Sequence, residues 1–245
     1  MIRVCKWIQK QGLVSLCRKT RRQKKERDGY LAVKVEIWGD YACFSRVEMK
    51  VERVSYDVIT PSAARGVLEA IYWHPGLRWH VDKIYVLSPI KMTNIRRNEV
   101  QSKISKDNIR AAMTGGKNNL YINTSKDIVQ RSSLVLQDVH YVIEAHFTMT
   151  EKASEGDNHG KFQDIMKRRL HKGQCFHQPY LGCREFPARF KEWEGGCIPA
   201  IQETRDLGYM LWDIDFSHSQ NIQPLFFRAQ MENGAINVAD CGVIR

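Results

Sequence analysis

The order of apolar patterns along this chain predicts an α+β fold, a ferredoxin-like domain followed by a small β-rich unit. Three observations carry that expectation. Between residues 30 and 190 the patterns run strand, helix, strand, strand, helix, strand, which is the split βαβ order. A Gly195-Gly196 pair separates this stretch from two further strand-like runs. A polar, basic segment without clear period, 91–126, interrupts the middle of the pattern. The predicted organisation is a basic N-terminal extension over 1–28, a ferredoxin-like domain with a basic insertion over 29–194, and a β-rich C-terminal domain over 195–245.

Taken in order, Leu31 to Trp38 alternates as a strand and is broken by Gly39-Asp40. Glu48 to Ile59 alternates again and predicts a hairpin with the turn before it. Thr60 suits an N-cap and Pro61 the first helical position, where a missing N–H leaves nothing unpaired. Ala64, Val67, Leu68 and Ile71 then share one apolar face, with Tyr72 at its edge, Trp73 beside it and Pro75 ending the helix. Trp79 to Leu87 reads as a strand, and Leu134 to Met149 is the strongest strand signal in the chain. Gly160 to Leu170 is helical, with Phe162, Ile165, Met166 and Leu170 inside and Lys167, Arg168 and Arg169 forming a solvated face. Tyr180 to Phe190, Leu207 to Phe216 and Leu225 to Met231 read as strands, and Asn233-Gly234 as a type I′ hairpin turn.

The formal charge is +11, and its distribution is uneven. Ten Lys and Arg stand against Glu26 and Asp28 in residues 1–28, a net of +8, which leaves +3 for everything that follows. The excess favours a polyanionic partner. No apolar run is long enough to span a membrane or to serve as a secretory signal, so a cytoplasmic chain is expected. Seven scattered cysteines without C-x-x-C fit reduced thiols in that compartment. Cys175, His177, Cys183 and Cys197 lack the paired knuckles of a structural zinc site, so no metal and no cofactor is expected.

No phosphate-binding glycine loop, nucleophile elbow or metalloprotease helix is present. Asp213-x-Asp215 lies on a strand and reads as surface polarity rather than a two-metal nuclease. What remains is a ferredoxin-like sheet with basic insertions and exposed aromatics, an architecture that binds RNA by stacking and phosphate contacts.

Seven stretches then carry a resemblance. They are G-D-Y-A-C-F (39–44), V-S-Y-D-V-I-T-P-S-A-A-R-G-V-L-E-A-I-Y-W (54–73), N-I-R-R-N-E-V (94–100), D-V-H-Y-V-I-E-A-H-F (138–147), L-G-C-R-E-F (181–186), R-D-L-G-Y-M-L-W-D-I-D-F (205–216) and M-E-N-G (231–234). In this order they resemble the Cas-five family of CRISPR-associated proteins in its subtype I-C (Dvulg) form. The resemblance covers roughly 30 to 236, is loose over 101–130 and leaves 1–28 outside. It implies a RAMP-type (RRM-like) ferredoxin-like domain and metal-independent endoribonuclease activity on the pre-crRNA repeat hairpin. It further implies retention of the crRNA 5′ handle within the type I-C Cascade antiviral surveillance complex. The implied partners are crRNA, the backbone RAMP subunit, the large subunit and, through the complex, target DNA. A handle-binding structural subunit without cleavage is the alternative.

The family's catalytic Tyr, in I-Y-W, falls on Tyr72. Its Lys-His pair after a Gly falls on Lys161 and Phe162, so the imidazole is replaced. His159, or His74, is then the acid/base candidate. Metal-free cleavage needs a group to orient the 2′-OH, positive charge on the phosphorane oxygens and a proton donor for the leaving 5′-oxygen. RNA-binding candidates are Arg96, Arg97, Lys50, Arg53 and Arg184, the last alternatively a structural ion pair with Glu185.

Overall fold

The computed structural model describes residues 32–49, 52–116, 120–216 and 222–244. The extension read at 1–28 and the RNA-binding candidate Lys50 lie outside the described residues. A ten-stranded sheet of mixed α/β architecture organises the chain. Its spine is β5 (Ile128–Met149), whose outer half pairs with β4 (Met92–Val100) and whose inner half lies between β1 (Val33–Ala42) and β3 (Leu77–Val86). These pairings are antiparallel, as is that of β1 with the short β6 (Arg189–Glu192). The two-residue β2 (Arg53–Val54) runs parallel to β5.

Two helices pack on the sheet. In α1 (Pro61–Ile71) Thr60 accepts a hydrogen bond from the Ala63 N–H and Pro61 opens the first turn, as the sequence predicts. Ala64, Val67, Leu68 and Ile71 are all buried. Each fully buried Leu or Ile contributes about 1.5–3 kcal/mol of transfer free energy. The second helix, α3 (His159–Lys172), is capped by Asn158 and ends on Gly173 at φ +62°. Phe162, Met166 and Leu170 face the core. Between them, α2 (Lys106–Met113) lies in the long connection from β4 to β5 and buries no residue. The chain closes with β7 (Arg205–Asp215), β8 (Gln223–Glu232), β9 (Ala235–Asn237) and β10 (Val243–Ile244). Asn233 and Gly234 both have positive φ, +48° and +73°, which is the hairpin geometry expected of Asn-Gly. Pairing of β9 with β3 joins these strands to the same sheet. No helix among the described residues is long and apolar enough to cross a membrane.

Three local readings change and a fourth narrows. Gly39-Asp40 does not break β1, which continues to Ala42. A side chain at Gly39 would lie 2.6 Å from Leu181 Cδ1, so glycine is there for a close approach within a strand. The hairpin expected over Glu48 to Ile59 is present but short: Ser55 bridges Ser45 antiparallel, with the Arg46 N–H to Val54 O and the Tyr56 N–H to Phe44 O, and Tyr56, Val58 and Ile59 then enter the core. The aperiodic segment 91–126 contains a regular strand, β4, whose residues alternate between exposed and half-buried. Tyr180 to Phe190 is mostly a loop closed by a single Tyr180–Pro187 bridge: Gly182 sits at φ +83° with its Cβ position 1.9 Å from Cys43 O, and pairing with β1 begins only at Arg189.

Asp213 also departs from the surface polarity predicted for it. It is 9% exposed and binds the Arg65 guanidinium through both oxygens, one at 2.8 Å, tying β7 to α1. Removing Asp213 leaves the half-buried Arg65 guanidinium with only the Glu69 carboxylate, 3.4 Å from its Nε. Asp213→Ala is expected to lower unfolding free energy by about 1–3 kcal/mol in urea denaturation. A change within about 0.5 kcal/mol would place the pair among ordinary surface contacts.

Candidate active site

The last turn of α1 and the first turns of α3 meet in one corner, and most of the predicted catalytic residues border it. Tyr72 is the C-cap of α1. Its carbonyl accepts the Trp79 indole N–H at 2.9 Å, which fixes the backbone, and its ring turns toward α3. There it meets Phe162 edge-on at 6.1 Å, and the Arg169 guanidinium lies 4.9 Å from its ring centre. Arg169 also donates to the Ile71 carbonyl, one of those left open at the helix end. Tyr72 is therefore 4% exposed, a wall of the corner rather than a projecting side chain. Burial raises its phenol above the ordinary value; Asp157 acts in the same direction and Arg169 opposes. The hydroxyl therefore stays protonated at neutral pH and is not a phenolate base there.

Phe162 explains itself by position. It is fully buried between Tyr72, His74 (ring centres 5.0 Å apart) and Phe147 (6.1 Å). The residue after Gly160-Lys161 faces the core, where an aromatic hydrocarbon packs and an imidazole would need a buried polar partner. Arg169, three to seven residues along the same α3 face from Phe162, Ile165 and Met166, belongs to that inner face as well, and not to a solvated row with Lys167 and Arg168.

Around this aromatic centre the polar groups are ordered by Asp157. Lys161 Nζ donates to Asp157 Oδ1 at 2.8 Å, and the Ser154 N–H donates to Oδ2 at 2.9 Å. The Lys161 bond, followed by that of Ser154, holds the Asp157 carboxyl below the usual carboxylate range. His74 Nε2 lies 3.9 Å from the same carboxylate, while its Nδ1 accepts the Gly76 N–H at 3.1 Å. That acceptor role places the proton on Nε2 and leaves no basic nitrogen facing outward. His159, the exposed first residue of α3, stacks on Phe147 with ring centres 5.4 Å apart. Tyr72, Lys161 and His159 are thus gathered through Phe162, Asp157 and Phe147. Sequence reasoning missed Asp157 and Phe147; the i, i+4 spacing of Asp157 and Lys161 was the available signal.

The RNA-binding candidates fall elsewhere and divide. Arg96 and Arg97 are consecutive on β4 and so face opposite sides: Arg96 is exposed, whereas Arg97 donates to Ser133 Oγ at 3.1 Å and pairs with Glu185. Arg53 joins the same group, 3.4 Å from Glu185 and 3.7 Å from Glu99, and Arg131 reaches Glu99 at 3.3 Å. Arg184 is exposed, and Glu185 pairs with Arg53 and Arg97 rather than with its neighbour. Within this group the Cys43 hydrogen bond, aided by Arg53, holds the Cys183 thiol below its ordinary value. Among the described residues, no group of three or more His, Cys, Asp or Glu side chains is arranged to hold a metal ion.

The model of the CRISPR-associated protein (Cas_Cas5) family matches residues 32–239. The CRISPR pre-crRNA endoribonuclease Cas5d of Mannheimia succiniciproducens is 52% identical over 213 residues, covering 84% of this chain and 94% of that protein. The chain belongs to the Cas5 family of CRISPR-associated proteins. The pre-crRNA endoribonuclease Cas5d of Thermus thermophilus is 40% identical over 223 residues, covering 84% of this chain and 90% of that one. Among solved structures, a CRISPR-associated protein and a functionally uncharacterised protein from Streptococcus mutans share the fold. Each has TM-score 0.61 at 22% identity, covering 88% of this chain and 97% or 98% of theirs. In this Cas5 member, Phe162→Ala is expected to cost about 3–5 kcal/mol in urea unfolding. A loss below about 1 kcal/mol would show that the corner does not depend on that ring.

Proposed function

We propose that this chain is a pre-crRNA endoribonuclease that cuts the repeat hairpin without metal and stays on the 5′ handle. The observation that carries the reading is the gathering of Tyr72, Lys161 and His159 at one corner of a chain 52% identical to a protein of that activity. In the proposed reaction the substrate's 2′-OH attacks the adjacent phosphate in line, expelling the 5′-oxygen and leaving a 2′,3′-cyclic phosphate. The Tyr72 hydroxyl orients the nucleophile. Lys161 neutralises the phosphorane, helped by the N-terminal N–H groups of α3. Lys161 itself is half exposed, so its Nζ can turn from the Asp157 carboxylate to a phosphate. His159 transfers protons, because the His74 imidazole has its acceptor nitrogen engaged and Phe162 has none.

The strand order β6-β1-β5-β3, antiparallel throughout and bridged by α1 and α3, supports a ferredoxin-like domain. On this reading 29–194 form that domain, with 91–126 its basic insertion, and 195–245 form a C-terminal unit whose β7 and β8 pair with each other. Arg96 and Arg184, both exposed, are the handle contacts; Arg53 and Arg97 shape the surface through Glu185. The partners are crRNA, the Cascade backbone RAMP and large subunits and, through them, target DNA, in the cytoplasm that free thiols suit. One observation favours a second reading, a handle-binding subunit that does not cut: Phe162 stands where the family pattern has His.

Incubation of the full chain with a labelled repeat hairpin in EDTA separates the two. Cleavage is expected to persist in the chelator and to fall about 10²–10⁴-fold in Tyr72→Phe and in Lys161→Ala. A bound, intact hairpin at saturating protein would overturn the enzyme and leave the structural subunit.

A further inference from the structure

Beside the corner lies an aromatic surface to which neither the cleavage scheme nor the core gives a role. Trp73 follows Tyr72 directly and is 52% exposed; Phe176, from the loop after α3, is 55% exposed. The two rings stack, centres 6.4 Å apart and planes 26° from parallel, and His177 tilts against Phe176 at 4.3 Å. An exposed hydrophobe alone needs no explanation, but two large rings stacked while each leaves over half its surface in water are not packing a core.

The platform is held firmly. Gly173 turns the chain back at the end of α3, so the Phe176 N–H donates to Ala70 O at 2.9 Å and the His177 N–H to the same oxygen at 3.0 Å. These bonds, with that of Arg169 to Ile71 O, satisfy carbonyls at the C-terminus of α1. The same backbone that seats Tyr72 therefore seats Trp73 and Phe176. Positive charge accompanies the rings: Arg168 and Lys172 are exposed on the last turns of α3, while nearby His171 faces Glu192 and Glu194. Rigid aromatic faces next to solvated cations match an unpaired nucleobase followed by its phosphate. The buried core of a protein–protein interface is depleted in lysine, which Lys172 supplies here.

We propose that Trp73 and Phe176 form a stacking platform for an unpaired nucleotide of the RNA, next to the bond that is cut. The proposal rests on the RNA-binding reading above, and names where that RNA meets aromatic rather than charged surface. A platform one residue from Tyr72 fixes the strand's position relative to the reacting 2′-OH. It discriminates single from paired RNA, because a base within a duplex has no free face to offer.

The test is equilibrium binding of the full chain to repeat RNA made uncleavable by a 2′-deoxy sugar at the cut position. Trp73→Ala and Phe176→Ala are each expected to weaken binding roughly 5- to 100-fold, with an unchanged slope of log affinity against log salt. Trp73→Phe, which keeps a ring, is expected to stay within about threefold of the unmodified chain. Arg168→Ala is expected to reduce the salt slope instead. Replacing the stacked base by an abasic site should cost the unmodified chain as much as Trp73→Ala does, and cost Trp73→Ala nothing further. Folded alanine variants, by circular dichroism, that bind like the unmodified chain would overturn the proposal. So would variants that keep RNA affinity yet lose association with other protein subunits, since the platform would then be a protein contact. Because the RNA is not cut, failure here leaves the cleavage reading standing, and failure to cleave leaves the platform standing.

Discussion

Burial of Phe162 is the contact on which the rest of this site depends. One ring on α3 touches Tyr72 from the end of α1, His74 from the turn after it and Phe147 from β5. The end of α1, β5 and α3 are far apart in sequence, so without a hydrophobic pin they would be free to shift against one another. With it, the polar groups on the outside of the same segments are held where the pin puts them. Asp157 then adds directional order by holding Lys161 beside His74. Packing sets the frame, and charge-assisted bonds at the rim set the side chains within it.

This arrangement separates two kinds of work. The α1–α3 corner is small and mixed in charge, with its one phenol kept neutral by burial. The β4–β5 region instead holds Arg53, Arg97 and Arg131 against Glu99 and Glu185, a paired network that shapes a surface and leaves Arg96 outward on the other face of β4. On the proposed reading, a ribonuclease that holds its product uses both: grip distributed over exposed cations and aromatics, and a compact centre for a single bond. The order of the sheet supplies the distance between them, because β5 runs through both regions.

Much of this was legible in the sequence, for physical reasons that can be named. The helix Pro61–Ile71 announced itself through Thr60, Pro61 and four apolar residues at helical spacing, all signals local to the chain. Asn233-Gly234 was equally plain, since few other dipeptides tolerate two positive φ angles. What failed to show were long-range approaches. Gly39 reads as a strand breaker until Leu181 is found beside it, and Asp213 reads as surface until Arg65 arrives from another element. Tyr180 to Phe190 has strand-like residues but is bent away by the contact of Gly182 with Cys43. For the candidate site, the sequence named Tyr72, Lys161 and His159, but spoke of a missing imidazole where the fold has a core position. Arg169 was readable from its spacing to Phe162 and was obscured by the two cations that precede it.

The proposed function assigns proton transfer to His159 at the head of α3, not to His74 behind it. Single-turnover cleavage rates measured across pH 5–9 for the unmodified chain, His159→Ala and His74→Gln test this most directly. The expected result is a rate about 10²–10⁴-fold lower in His159→Ala and a rate close to that of the unmodified chain in His74→Gln. A His159→Ala chain that keeps the rate across this pH range would contradict it.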